Sequence, residues 1–156
     1  MSSETDAGQT NTSGVHLWLI LMKAYRALGQ IATGSIANSG LGLSDFAVLE
    51  ILLHKGPLPV NTIGRQVMLT SGSITTAVDR LEEKRLVRRQ ACPNDRRVTY
   101  VTLTTTGRTL IRRVFKAHAS RLETAFEPLS TSERSALATL LKKLGKHGES
   151  LLAQRA

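Results

Sequence analysis

The sequence predicts a mainly α-helical domain carrying one small β hairpin, on three observations. Apolar residues recur at helical spacing on either side of a central region. That region holds a brief helical segment, a short turn and a second helical segment rich in small polar residues. Directly after it, two extended-type stretches flank Cys92-Pro93-Asn94-Asp95-Arg96-Arg97, whose Pro, Asn and Asp supply turn chemistry. At 156 residues, 41% of them hydrophobic, the chain is sized for one domain with a real core, and with 4% aromatics that core is aliphatic.

The elements follow in order. Residues 1–14 are Ser, Thr, Gly and Asn with little to bury, which predicts a disordered tail. From Val15 to about Ala37, Leu17, Leu21, Tyr25, Leu28, Ala32 and Ile36 form a helical stripe, with Trp18, Ile20 and Met22 partly off it. A helix apolar on so much of its circumference wants more than one partner surface, which suits burial between two subunits. Gly40-Leu41-Gly42 breaks the chain, and Ser44 reads as an N-cap with Leu43 and Val48 as a hydrophobic staple. That helix runs to Lys55, where Gly56 supplies a C-cap and Pro57 blocks continuation.

Leu58-Pro59-Val60 reads as a short extended linker, and Asn61 as the cap of a brief helix through Ile63 and Val67. Met68-Leu69-Thr70 is the turn. Ser71 reads as the cap of a helix running to about Arg85, with Ile74, Ala77, Val78 and Leu81 as its buried stripe. Strands are expected over 86–91 and 98–103. Thr104 reads as the cap of a helix ended by Pro128, and Ser130 with Glu133 as a capping box for a last helix seamed by Leu137, Leu140, Leu141, Leu144 and Leu151. Residues 44–103 are therefore a winged helix-turn-helix, with a reading helix at about 71–85 and a wing at 86–103. The flanking segments 15–38 and 105–152 are expected to be helical, the first of them suited to burial between two subunits.

The formal charge is +9, all of it in the second half: residues 1–78 are neutral, 79–103 carry +3 and 104–156 carry +6. Basic density peaks at Lys84, Arg85, Arg88, Arg89, Arg96 and Arg97, a cluster that straddles the hairpin rather than lining a helix face. That favours a polyanionic partner. The longest apolar run, Leu17 to Met22, is far short of the ~20 residues of a membrane span, and the acidic Glu4 and Asp6 before it do not suit an export signal. One cysteine excludes an internal disulfide framework and fits a reducing, cytoplasmic setting.

The major groove of B-DNA, about 12 Å wide, admits one helix, provided small polar residues let its backbone approach the bases. Ser71, Gly72, Ser73, Thr75 and Thr76 meet that demand, and Arg80 is long enough to reach phosphate or a guanine edge. Taken alone these hydroxyls would be caps and exposed positions only; the basic hairpin beside them argues for DNA. Arg96 and Arg97 at the loop tip can enter a minor groove. Asp95 between them and the turn can hold an arginine fork in one rotamer, the competing reading being a surface ion pair worth at most about 1 kcal/mol.

The run Asp95-Arg96-Arg97-Val98-Thr99-Tyr100-Val101-Thr102-Leu103-Thr104, followed by Gly107, resembles the wing of the MarR family of bacterial winged-helix transcription regulators. Every fixed position of that family's wing, D-x-R, three residues, V-x-L-T, two residues, Gly, is met. Ser73 to Glu82 is similar to the family's reading helix, and the likeness covers about residues 15–150. The resemblance implies a homodimer built by interleaving the first and last helices. It implies binding to a pseudo-palindromic operator, usually as a repressor, and release by a small aromatic or phenolic molecule or through an oxidised cysteine. By position, Asp95 and Arg97 match the wing pair, with Arg97 as the minor-groove residue. Leu69–Thr75 and Cys92–Arg97 look further like the repressors of catechol and methylhydroquinone resistance genes, which would make the effector a catechol or quinone. Two departures stand out: Arg85 where members often have Gly, and Thr76 where they often have Arg or Lys.

Other sites have competing uses. Cys92, beside Arg88, Arg89, Arg96 and Arg97, could act as a redox switch because positive neighbours favour thiolate; the alternative is a small strand-end residue. Trp18, Tyr25, Phe46 and His54 would line an aromatic-ligand pocket if the first two helices meet there; the alternative is core packing. The four histidines are scattered, with no metal-binding motif, so no metal or cofactor is expected. No nucleophile elbow, P-loop or dinucleotide fingerprint is present, which argues against an enzyme. A winged-helix module for protein or RNA, without an operator, is the alternative to a DNA-binding regulator.

Overall fold

The computed structural model describes residues 12–92, 94–95 and 97–154. Helix α1 spans Gly14–Ile36 and is capped by Ser13, whose hydroxyl accepts from the His16 N–H at 3.3 Å. The helix thus takes in Gly14, which composition had assigned to the tail; residues 1–11 of that tail lie outside the described residues. A 3-10 turn over Ala37–Ser39 ends at Gly40, whose φ of 73° reverses the chain.

Helix α2, Leu43–Lys55, begins at Gly42, not Ser44. Leu41 and Phe46 consequently fall on the staple positions, and both are buried, while Leu43 is exposed. Gly56 closes the helix at φ 76°. The expected linker is a strand: β1, Leu58–Pro59, pairs antiparallel with the wing. Pro59 then caps helix α3, Val60–Gln66, so Asn61 sits inside the first turn. After a turn in which Met68 takes φ 55°, helix α4 runs over Ser71–Glu83. Its cap is Thr70 rather than Ser71, the Thr70 hydroxyl accepting from the Ser73 N–H at 3.2 Å.

Strands β2, Val87–Ala91, and β3, Thr99–Leu103, pair antiparallel with Arg89 opposite Val101, and the sheet order is β1-β3-β2. Helix α5, Thr105–Phe126, is capped by Thr104 as the sequence predicts. Helix α6, Thr131–Ala153, carries the complete Ser130–Glu133 capping box.

The core lies under the winged helix. Val48, Leu49 and Leu52 of α2 meet Ile63 of α3, Ala77, Val78 and Leu81 of α4, Val87 and Val101 of the sheet, and Ile111 of α5. Helix α1 packs along α5, and α2 lies between α5 and α4. The outer helices bury almost nothing: Ile36 is the buried residue of α1, and α6 has none. Leu17, Trp18, Ile20, Leu140, Leu144 and Leu152 stand half or more exposed. Among the described residues no single helix is long and apolar enough to cross a membrane.

Candidate nucleic-acid interface

The periodicity of α4 sorts its residues cleanly. Ile74, Ala77, Val78 and Leu81 are buried, so Ser71, Gly72, Ser73, Thr75, Thr76, Asp79 and Arg80 are exposed. Local bonds fix the hydroxyls. Thr70 donates to Ser73 Oγ at 2.9 Å. Thr75 and Thr76 each donate to the carbonyl one turn back, Ser71 at 2.9 Å and Gly72 at 3.0 Å. With its proton directed inward, each threonine hydroxyl is left an acceptor, suited to the amino groups of adenine or cytosine, beside a methyl suited to thymine.

The wing presents Arg97, its side chain 90% exposed. Asp95 accepts from the Arg97 backbone N–H at 2.9 Å, from Nε at 3.2 Å and from Nη2 at 3.3 Å, which fixes the start of the arginine fork and leaves the rest facing solvent. The Arg97 side chain and N–H hold the Asp95 carboxyl below its ordinary value. Cys92, half-buried and unpaired, donates its N–H to Val98 O at 2.9 Å at the base of the same turn. Arg96 lies outside the described residues.

Helix α4 and the wing are tied together by Arg89 of β2. It reaches Asp79 at 2.6 Å and Glu82 at 2.5 Å, and its N–H meets Glu82 at 3.0 Å. Those bonds, the backbone one foremost, depress the Glu82 carboxyl. Sequence reasoning missed this tie, although strand alternation places Arg89 on the face of buried Val87, where a guanidinium needs carboxylates. Between α3, the start of α4 and the wing lies a cleft of about 610 Å³, with Asn61, Arg65, Ser71, Thr75, Arg89 and Arg97 on its walls. Ser71, Thr75 and Arg97, from separate stretches of sequence, thus share one concave surface.

Arg80 faces elsewhere than expected. Its Nη2 donates to Asp45 at 2.7 Å and to Ser44 Oγ at 3.2 Å. The proposed aromatic set also disperses. Trp18 and Tyr25 are 58% and 72% exposed on α1. Phe46 is buried against the His118 ring at 4.7 Å, and His54 meets Phe115 edge-on at 4.7 Å. His118 Nδ1 lies 2.7 Å from Ser35 Oγ, a pairing across 83 residues that no local pattern announces. Among the described residues no three His, Cys, Asp or Glu side chains gather as metal ligands would.

The profile of the MarR family matches residues 41–99. The HTH-type transcriptional regulator MhqR of Bacillus subtilis (strain 168) is 40% identical over 129 residues, covering 83% of this chain and 89% of that protein. The structure of Bordetella bronchiseptica BpsR, whose DNA binding is described as regulated by 6-hydroxynicotinic acid, is 26% identical with a TM-score of 0.74, covering 83% of this chain and 98% of that one. Sco3205, a MarR family regulator from Streptomyces coelicolor solved in complex with DNA, shares the fold at a TM-score of 0.80 and 21% identity, covering 89% and 93% of the two chains. This chain belongs to the MarR family of winged helix-turn-helix, DNA-binding transcriptional regulators.

Proposed function

We propose that two copies of the chain form a repressor on a pseudo-palindromic operator. In each half-site α4 enters the major groove, offering Ser71, Ser73, Thr75 and Thr76, while Arg97, steadied by Asp95, enters the adjoining minor groove with Arg96 beside it. The observation that carries this reading is the shared concave surface of Ser71, Thr75 and Arg97. The exposed apolar side chains of α1 and α6 supply the dimer contact, since clustered exposed apolar residues mark interfaces. In the dimer the reading helices stand about 34 Å apart, one turn of duplex.

The effector is a small phenol, catechol or quinone. BpsR, with its hydroxylated aromatic acid, supports that chemistry. So does the junction of α1, α2 and α5, where Phe46, Phe115, His54 and the Ser35–His118 pair offer rings beside polar groups. A redox route through Cys92 is kept as the second input because the thiol sits at the wing base, half-buried and unpaired.

Selection of bound duplexes from a random pool tests the reading. Enrichment of an inverted repeat, lost on adding a panel of phenols and quinones, is expected. A pool that stays unenriched overturns it.

A further inference from the structure

Among the described residues Asp45 is the one charged residue that is buried, its side chain 3% exposed. It belongs to the first turn of α2, where the helix N-terminus favours a carboxylate. Its partners all come from the reading helix and the residue that ends it. Arg80 Nη2 lies 2.7 Å and Nε 3.3 Å from Oδ1, and Lys84 Nζ lies 3.7 Å from Oδ2. The same two side chains reach neighbouring groups: Arg80 donates to Ser44 Oγ at 3.2 Å, and Lys84 to Gly40 O at 3.2 Å. One buried carboxylate therefore holds the C-terminal half of α4 against the Gly40–Asp45 segment that leads into α2.

The apolar stripe of α4 cannot supply this restraint alone. Aliphatic packing is non-directional and leaves a 13-residue helix able to roll or slide by small amounts. A guanidinium fork on a carboxylate is directional. At the other end of α4, Thr75 and Thr76 reach base edges only if the helix keeps its angle, since hydrogen bonds weaken steeply with misalignment.

We infer that Asp45 is a positioning residue for operator recognition: through Arg80 and Lys84 it fixes the angle of α4, and Arg80 acts in this clamp rather than as a phosphate contact. The inference rests on the proposed use of α4 in the major groove and deepens it.

The clamp reading and a phosphate-contact reading of Arg80 predict opposite results. Removing a carboxylate near DNA strengthens binding by simple electrostatics. The clamp predicts that Asp45→Asn weakens binding to the duplex selected by the wild-type chain by about tenfold, equivalent to about 1.4 kcal/mol, while binding to a scrambled duplex is unchanged or tighter. Arg80→Lys keeps the charge but not the fork, so the clamp predicts a similar loss of discrimination. For Arg80→Gln, which removes the charge, it predicts no change in the salt slope of scrambled-duplex binding, whereas a lost phosphate contact lowers that slope by about 0.9 per site. The Asp45→Asn/Arg80→Lys double variant should lose no more than either single variant, because both break one device.

The measurement is fluorescence anisotropy with both duplexes across a salt series, on proteins whose thermal unfolding remains cooperative. Arg80→Lys, at a half-exposed position, keeps the comparison available should Asp45→Asn unfold. Wild-type discrimination between duplexes with undiminished discrimination in either folded variant overturns the clamp, as does a reduced salt slope in Arg80→Gln. A wild-type chain that binds neither duplex overturns the proposed function itself, and the clamp with it.

Discussion

Replacing Gly107 by alanine tests how the wing is locked to the helix that follows it. A Cβ at this position would stand 1.9 Å from the Leu86 carbonyl oxygen and 2.8 Å from its carbonyl carbon. The obstacle is backbone, and that backbone is committed: Leu86 O accepts from the Thr104 N–H at 3.0 Å and lies 3.1 Å from Thr104 Oγ1. The same Oγ1 donates toward Arg85 O at 2.8 Å and accepts from the Gly107 N–H at 3.0 Å, which makes it the cap of α5. Relieving the overlap needs a separation of about 1 Å or more, enough to break this knot. Losing the cap costs about 1 kcal/mol, one further hydrogen bond about 1 kcal/mol, and the residual overpacking about 1–2 kcal/mol. The total is about 3–4 kcal/mol, and for a chain of this size roughly 2–4 °C accompanies each, so Tm falls by about 10 °C. Circular dichroism melts of both proteins at one fixed concentration measure it, since dimer stability depends on concentration. A Gly107→Ala protein melting within about 2 °C of the wild type would refute the steric argument.

Other expectations follow from the same geometry. Arg85 takes φ 57° with its side chain exposed, so Arg85→Gly removes a strain of about 1 kcal/mol and raises Tm by about 2–4 °C in the same melts. Arg97→Ala removes a contact worth about 1–3 kcal/mol from each half-site and weakens operator binding at least tenfold; Asp95→Ala, which only unlocks the arginine, costs less than that in the same anisotropy assay. Glu82 has its carboxyl held below its ordinary 4.5 by Arg89, so the stability it adds is present above that pH and lost as pH falls through the lowered value. The Tm difference between wild type and Glu82→Gln is therefore full at neutral pH and closes in acid; a difference that stays constant down to pH 3 contradicts the tie. Cys92→Ser abolishes release by peroxide while sparing release by phenols if the thiol is the oxidant sensor, and unchanged release by peroxide removes that route.

What the sequence disclosed depended on the range of the interaction. The order of helices, the wing and the caps at Thr104 and Ser130 are local patterns, and they were legible. Helix starts slipped where two candidate caps were adjacent: Thr70 and Ser71 have similar chemistry, and only the bond to the Ser73 N–H separates them. Gly42 displaced Ser44 because a cap can be a residue without a side chain, which leaves the serine hydroxyl to Arg80. Strand β1 reads as a linker in sequence because two residues, one a proline, carry no period; its pairing with Val101 and Tyr100 is a long-range fact.

The site divides in the same way. Ser71, Ser73, Thr75, Thr76, Asp95 and Arg97 could be nominated from residue type and position. Arg80 could not be placed, because its partner lies 35 residues away on another helix. Asp45 did carry a signal, an acid between Leu43 and the apolar Phe46 to Val48. The aromatic set is split by helix rotation: Trp18 and Tyr25 face away from the core, while Phe46 faces inward to His118.

In the proposed function two copies of this chain read one duplex through α4 and the wing. Hydroxyl-radical footprinting of the selected duplex, with protein mass in solution measured alongside, tests it most directly. A dimer that protects two inverted half-sites, their centres about one helical turn apart, is expected. A monomer, or a dimer that leaves the duplex uniformly cleaved, would contradict it.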